Sequence, residues 1–489
     1  NYKVQDPLLQ EPSAIAVSED YSLLNTVKTN LLASLNIILQ HMIDNKKKTL
    51  EEQGTVPKVI NMIGADLPDS PYATAVGTIL EPFINSVILI ASLSSHSELY
   101  SKPFVSELVI ESYSLLTKAC GENRFYALFA KHARSLEVTV CLNSLKVTQQ
   151  DFETLESSPE EFVNVTMDVC ERQESRTLKT TAAQLLESIC DNIDGSLAYE
   201  FYFVVELLDQ VFSQNTNLDT YPHLSEWVGN NILQSSDEQK VDVSLVVLSI
   251  LSYSVSKRPD LLKLLEKLLK NYVDLISSSA SSLIHNRFCL VLYFYLEYIF
   301  PDDRETFGRW IFYLINCLDP SRVHRVALIQ ACESFTYLVQ DDEIMFRMEP
   351  FVTEVIGYVL QVLPHQNDKY FFEAVQELVQ RYTSEITQHI PLIINSVTQK
   401  IQSGVQNPSQ EGSLVLAKCW NIIKTITDSS EVNTYLQDFE KLLTPLFSFL
   451  QNPNTINFED DIVMVILNLI RKTQTIYVDD SQYCGYIRL

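Results

Sequence analysis

Glycine is scarce in this chain, 11 of 489 residues, far below the usual share of about 7%. Phosphate-cradling loops, dinucleotide-binding turns and tight hairpins need the backbone freedom only glycine has. The composition therefore disfavours Rossmann, P-loop and barrel enzymes, and no GxGxxG, GxxxxGK[ST] or GxSxG motif occurs. Cations are short as well: 36 lysines and arginines face 62 aspartates and glutamates, for a net charge of −26. A nucleic-acid binder needs clustered cations to displace counterions from phosphates, so direct nucleic-acid binding is not expected. An acidic surface suits basic partners instead.

Long apolar runs are missing too. The nearest, Phe288 to Phe300, carries Glu297 and is flanked by Arg287 and Asp302. It falls short of the roughly 18 apolar residues of a membrane span and reads as a buried helix, so no membrane insertion is expected. Nine cysteines (Cys120, Cys141, Cys170, Cys190, Cys289, Cys317, Cys332, Cys419 and Cys484) never fall at CxxC spacing. They read as buried reduced thiols of a cytosolic or nuclear protein. Eight histidines are dispersed, with no HExxH pair. The sequence therefore offers no catalytic residue, no cofactor-binding residue and no metal ligand, and the chain is not read as an enzyme.

What is present is helical periodicity, in a chain that is 46% hydrophobic. In 261–276, Leu261, Leu264, Leu265, Leu268, Tyr272 and Leu275 form one stripe, with Lys263, Lys267 and Lys270 opposite. Segment 436–450 repeats the pattern with Leu436, Phe439, Leu442, Leu443, Leu446 and Phe449. Helices also come in pairs. In 310–339 an apolar helix ends at Leu318, Asp319–Pro320–Ser321 makes a turn, and Val323-x-Arg325-Val326-Ala327 opens a second helix. Second helices are expected near 285, 323, 367, 413 and 457, a period matching the ~40–47 residues of HEAT or armadillo arrays; 178–190 and 240–255 read as earlier ones. A lone pair cannot bury both faces, so neighbours must stack. The expected fold is all-α, a HEAT-repeat α-solenoid: a superhelix of antiparallel helix pairs.

Along the chain, residues 1–20 read as an extended lead-in. Residues 21–146 read as irregular HEAT-like helices (21–44, 79–95, 103–119, 124–141) with a loop or insertion at 45–72. An acidic inter-repeat segment follows at 147–177, then a repeat array at 178–475 and a tail at 476–489. The start at Asn1 suggests a fragment, or numbering from a first ordered residue.

The acidic segment TQQDFETLESSPEEFV gathers Asp151, Glu153, Glu156, Glu160 and Glu161 around Pro159, with Phe152, Leu155 and Phe162 as apolar pins. Thr148-x-x-Asp151 resembles a capping box, and Ser158-Pro-Glu-Glu a second helix start. Acids favour helix N-termini, but five exceed what two caps need, so these five are the candidate interaction residues. Glu459–Asp460–Asp461 reads as an exposed cap and Lys46–Lys47–Lys48 as a solvated loop. His285 and His324 read as helix-start residues facing a turn, and Trp227, Trp310 and Trp420 as core anchors.

Two blocks carry a family resemblance. VTQQDFETLESSPEEFVNV followed by SRTLKTTAAQLLESIC resembles a passage of the importin-β (karyopherin) superfamily, in which an acid-rich, proline-centred segment precedes a helix with a paired-alanine start. The matching residues are Asp151, Leu155, Ser158, Pro159, Glu161 and Phe162, then Ala182, Ala183 and Leu186. IHNRFCLVLYFYLEYIF, LDPSRVHRVALIQACESFTYLV, EPFVTEVIGYVLQVL and SEITQHIPLIINSVTQKIQSG resemble successive HEAT repeats of that family. The importin seven/eight class is nearest, with the importin-α export receptor and importin nine classes close behind. Leu155 replaces the family's usual aromatic, insertions are expected near 163–178 and 214–236, and the N-terminal repeats have no counterpart. The resemblance implies a non-enzymatic, monomeric nuclear transport receptor shuttling between cytoplasm and nucleus. Its partners would be basic protein cargo, Phe-Gly nucleoporins and, through the full-length receptor, the Ran GTPase. The alternative is a HEAT scaffold or adaptor outside transport.

Overall fold

A computed structural model describes residues 103–121, 126–137, 142–212, 236–299, 304–406, 410–428, 446–451 and 457–472. Among these residues there is no strand, and all regular structure is helical. The expected helices 21–44 and 79–95, the loop 45–72, both ends of the chain, Trp227 and most of the first helix in 436–473 lie outside them. The chain divides into two compact units, Asn1–Leu265 and Glu266–Leu489.

Unit one holds α1 (Pro103–Cys120), α2 (Tyr126–Ser135), α3 (Gln149–Ser157), α4 (Pro159–Met167), α5 (Leu178–Asn192), α6 (Ser196–Phe212) and α7 (Asp237–Ile250). The division falls within α8 (Pro259–Ser277). Helix α5 is the hub, packed on α1 and α6, while α6 packs on α7. Ala182 and Ala183 are fully buried; their small side chains keep α5 slim enough for close neighbours. The start of α5 is fixed by a capping box in which the Thr177 hydroxyl accepts from the Thr180 amide. In segment 163–178, α4 runs on to Met167, a π-turn covers Asp168–Arg172, Gln173 turns left-handed at φ 49°, and an irregular stretch leads to α5. The second helix expected over 240–255 is broken at Leu251, after which a short helix spans Ser252–Ser256.

Unit two is a regular array: α9 (Ser282–Tyr295), α10 (Arg304–Asn316), α11 (Arg325–Gln340), α12 (Asp342–Met348), α13 (Val352–Val362), α14 (Lys369–Arg381), α15 (Ile390–Gln406), α16 (Gln410–Asp428) and α17 (Glu459–Lys472). The second helices stack in sequence, α9 on α11, α11 on α14, α14 on α16 and α16 on α17. Beside them, α10 packs on α11 and α13, and α15 on α16. This is the stacking of an α-solenoid, with second helices starting at Ser282, Arg325, Lys369, Gln410 and Glu459, close to the expected places. Stacking explains why α9 and α11 are buried on most of their faces: each is covered by neighbours. His285 through Leu292 are all buried, so the apolar run at Phe288 is a core helix as expected. No described helix is long and apolar enough to cross a membrane.

Polar contacts lock consecutive repeats in register. The buried Asn286 amide donates to the Val326 carbonyl at 3.2 Å, tying α9 to α11. Arg325 pairs with Asp368 at 2.9 Å, linking the starts of α11 and α14. Gln366 donates to the Leu318 carbonyl at 2.7 Å, and Lys418 of α16 pairs with Glu373 of α14 at 3.2 Å. The anticipated turn also forms: Asp319 Oδ1 accepts from the Ser321 amide at 2.9 Å and from its hydroxyl at 2.7 Å. Trp310 and Trp420 are fully buried, as core anchors.

Candidate interaction surface

The acidic segment folds as two short helices whose apolar pins face inward. Leu155, Phe162 and Val163 are buried, and Phe152 is half-buried. Leu155, where the family's aromatic is expected, thus fills a core position. Thr148 and Asp151 make the expected capping box: the Asp151 amide donates to Thr148 Oγ1 at 3.2 Å, and the Thr148 amide donates to Asp151 Oδ2 at 2.6 Å. Pro159 opens α4, with Glu160 and Glu161 in its first turn, where the helix dipole favours them.

The five candidate acids are not equivalent. Glu153, Glu156 and Glu161 are exposed, and Glu160 is half-exposed. Asp151 is engaged internally, since its Oδ2 also takes Lys179 Nζ of α5 at 2.7 Å. Burial alone would raise the Asp151 carboxyl, but the Lys179 charge and the bonds from Lys179 and Thr148 outweigh it and hold the group below the usual carboxylate range. Asp151 therefore frames the segment, and the four glutamates face outward to different degrees.

A second fastening closes the other end. Gln173 Nε2 donates to Glu187 Oε2 on α5 at 2.9 Å, and Gln184 Nε2 donates to the Gln173 carbonyl at 3.1 Å. Burial, before other causes, pushes the Glu187 carboxyl up to about 7. Asp168 accepts from the Glu174 amide at 2.9 Å and from the Ser175 hydroxyl, and Arg176 pairs with Glu111 of α1. The acid-bearing face is thus held to α5 by Lys179 and Glu187 and to α1 by Arg176. Lys179 lies far from Asp151 in sequence, and no local pattern marks the pair.

Other chemistry-bearing groups turn inward. At the start of α9, His285 Nδ1 lies 2.7 Å from the Tyr313 hydroxyl, and Nε2 lies 2.9 Å from the Ser279 carbonyl. A carbonyl can only accept, so Nε2 carries the hydrogen. The Cys317 thiol is pulled down to about 6, first by its hydrogen bond with Cys289 and then, against burial, by His285 and Tyr313. Cys317 is only 2% exposed, so this thiol–imidazole cluster sits within the core. His324, expected as a helix-start residue, is the N-cap of α11, accepting from the Val326 amide at 3.4 Å. All seven described cysteines are buried, and none of them forms a disulfide among the described residues. Among the described residues no group of three or more His, Cys, Asp or Glu could hold a metal ion. Glu200 of α6 is fully buried, and its carboxylate oxygens have no hydrogen-bond partner. Burial, then the neighbouring Glu137, pushes its carboxyl far above the usual range.

No known protein-family profile matches the sequence. The chain is similar to the crystal structure of an engineered protein from the Northeast Structural Genomics Consortium. Identity is 12%, coverage is 79% of this chain and 90% of that one, and the TM-score is 0.37. A likeness at that level carries no argument about function.

Proposed function

We propose that this chain belongs to a nuclear transport receptor of the importin-β type. It binds basic protein cargo without catalysing a reaction, and the full-length receptor takes up the Ran GTPase and Phe-Gly nucleoporins while shuttling between cytoplasm and nucleus. The observation that carries this reading is the acidic segment itself. Glu153, Glu156 and Glu161 are held outward on a frame fastened by Asp151–Lys179 and Gln173–Glu187, in a chain whose later residues form a stacked helix-pair array. Clustered carboxylates on a rigid support attract lysine- and arginine-rich partners and steer their approach. A stacked array adds a long surface along which small changes per repeat accumulate.

The test is a pull-down with GTP-loaded and GDP-loaded Ran, using the full-length protein and then this chain alone. Preferential capture of the GTP form by the full-length protein is expected. Equal indifference to both forms would leave a helical scaffold outside transport.

A further inference from the structure

Two tyrosines and a glutamate meet near the C-terminal ends of the stacked helices α9 and α11, with a third tyrosine close by. Tyr293 of α9 and Tyr337 of α11 lie with ring centroids 4.5 Å apart, tilted at 44°. The Tyr337 hydroxyl donates to Glu297 Oε2 at 2.8 Å. Tyr298, one residue beyond Glu297, is 38% exposed, and Tyr337 is 37% exposed. The Tyr337 phenol is raised above its ordinary value, by burial first and then by the bond to and charge of Glu297, with Tyr293 and Tyr298 close enough to add to the shift. Glu333, one turn before Tyr337 on α11, is half-buried on the same helix.

Aromatic faces beside a carboxylate suit an organic cation: the ring quadrupoles attract the charge and the carboxylate pairs with it. An apolar ligand would leave the carboxylate uncompensated, and an anion would be repelled. The chain makes the same contact internally, with Lys257 Nζ 3.6 Å above the centre of Tyr253 and the Arg322 guanidinium 5.5 Å from that of Tyr358. The net charge of −26 brings cationic partners toward the surface.

We propose that Tyr293, Tyr298, Tyr337 and Glu297 form a binding site for a lysine or arginine side chain, carried on an extended basic segment of a partner protein. The assignment rests on the reading of the chain as a receptor for basic proteins and gives that reading a second contact, separate from the acidic segment. The Tyr337–Glu297 hydrogen bond positions ring and carboxylate together, so the cation meets both at once.

The test uses the whole 489-residue chain and a short fluorescein-labelled peptide rich in lysine and arginine, followed by fluorescence anisotropy. Against wild type, the combined Glu297→Gln, Tyr298→Ala and Tyr337→Ala variant should bind about tenfold more weakly, with unchanged circular dichroism and melting. Tyr337→Phe keeps the ring and loses only the hydroxyl, so it should lose less, and it guards against a folding artefact. A peptide with every cation replaced by glutamine should not bind. Equal affinity of wild type and both variants, or no binding of the basic peptide by wild type, overturns the site. Loss of Ran-GTP preference alongside tyrosine-dependent peptide binding would sink the transport reading and leave this site standing. Ran-GTP preference without tyrosine dependence would do the reverse.

Discussion

Asp151 and Glu200 show how far a carboxylate's role depends on what surrounds it. Asp151 stands in an acid-rich run, yet its oxygen is shared between Thr148 and Lys179, and those partners hold it ionised. The cap was readable from Thr148-x-x-Asp151 because it is local; Lys179 was not, because only the fold brings the start of α5 beside the start of α3. Glu200 lies in the apolar stretch AYEFYFVV and has no partner to keep it charged. A group whose folded value is raised contributes stability that is fully present below its unfolded value, about 4.3. That contribution is lost as pH rises toward the folded value. Glu200→Gln removes the ionisation. The variant should unfold at higher urea than wild type at pH 8, and the difference should shrink or vanish near pH 4. Urea midpoints measured across that range check this; a constant difference would rule out titration of Glu200 as the cause.

At the scale of elements, helix starts were legible and helix contacts were not. Ser281 and Asp368 cap α9 and α14, accepting from the Ile284 and Tyr370 amides, and proline or turn residues mark the breaks between paired helices. These signals act over three or four residues, so a sequence displays them. Gly308 of α10 carries no such signal. A methyl group added there would lie 2.7 Å from the Phe351 ring just before α13, so glycine is needed for that close approach. Gly308→Ala should cost about 1–3 kcal/mol by overpacking, read as a lower melting temperature. Adding Phe351→Leu should recover part of the loss, whereas strictly additive single and double variants would show that the ring is not the obstacle.

For the molecule as a whole, the proposed reading rests on its charge, −26 overall, and on the exposed glutamates of the acidic segment. Glu153, Glu156 and Glu161 together changed to Gln should weaken binding of a basic cargo protein severalfold at low salt, with helicity unchanged. The gap between variant and wild type should close as salt is raised, because exposed charges are screened over about 8–10 Å at physiological ionic strength. Titration of binding at two salt concentrations measures this; a loss of affinity that ignores salt would point to disrupted packing instead.

The sequence by itself determined the helical class, the repeat spacing and the acid-rich block. Apolar periodicity, caps and breaks are local, and any fold of the chain must respect them. Only the tertiary structure decided which acids face outward and which are tied down, since that depends on α5 presenting Lys179 and Glu187 to a segment distant in sequence. It also decided that Tyr293, Tyr337 and Glu297 share one surface. Tyr293 and Tyr337 lie on consecutive second helices of the array and Glu297 in the turn just after α9, and only the stacking of α9 on α11 sets their side chains against one another.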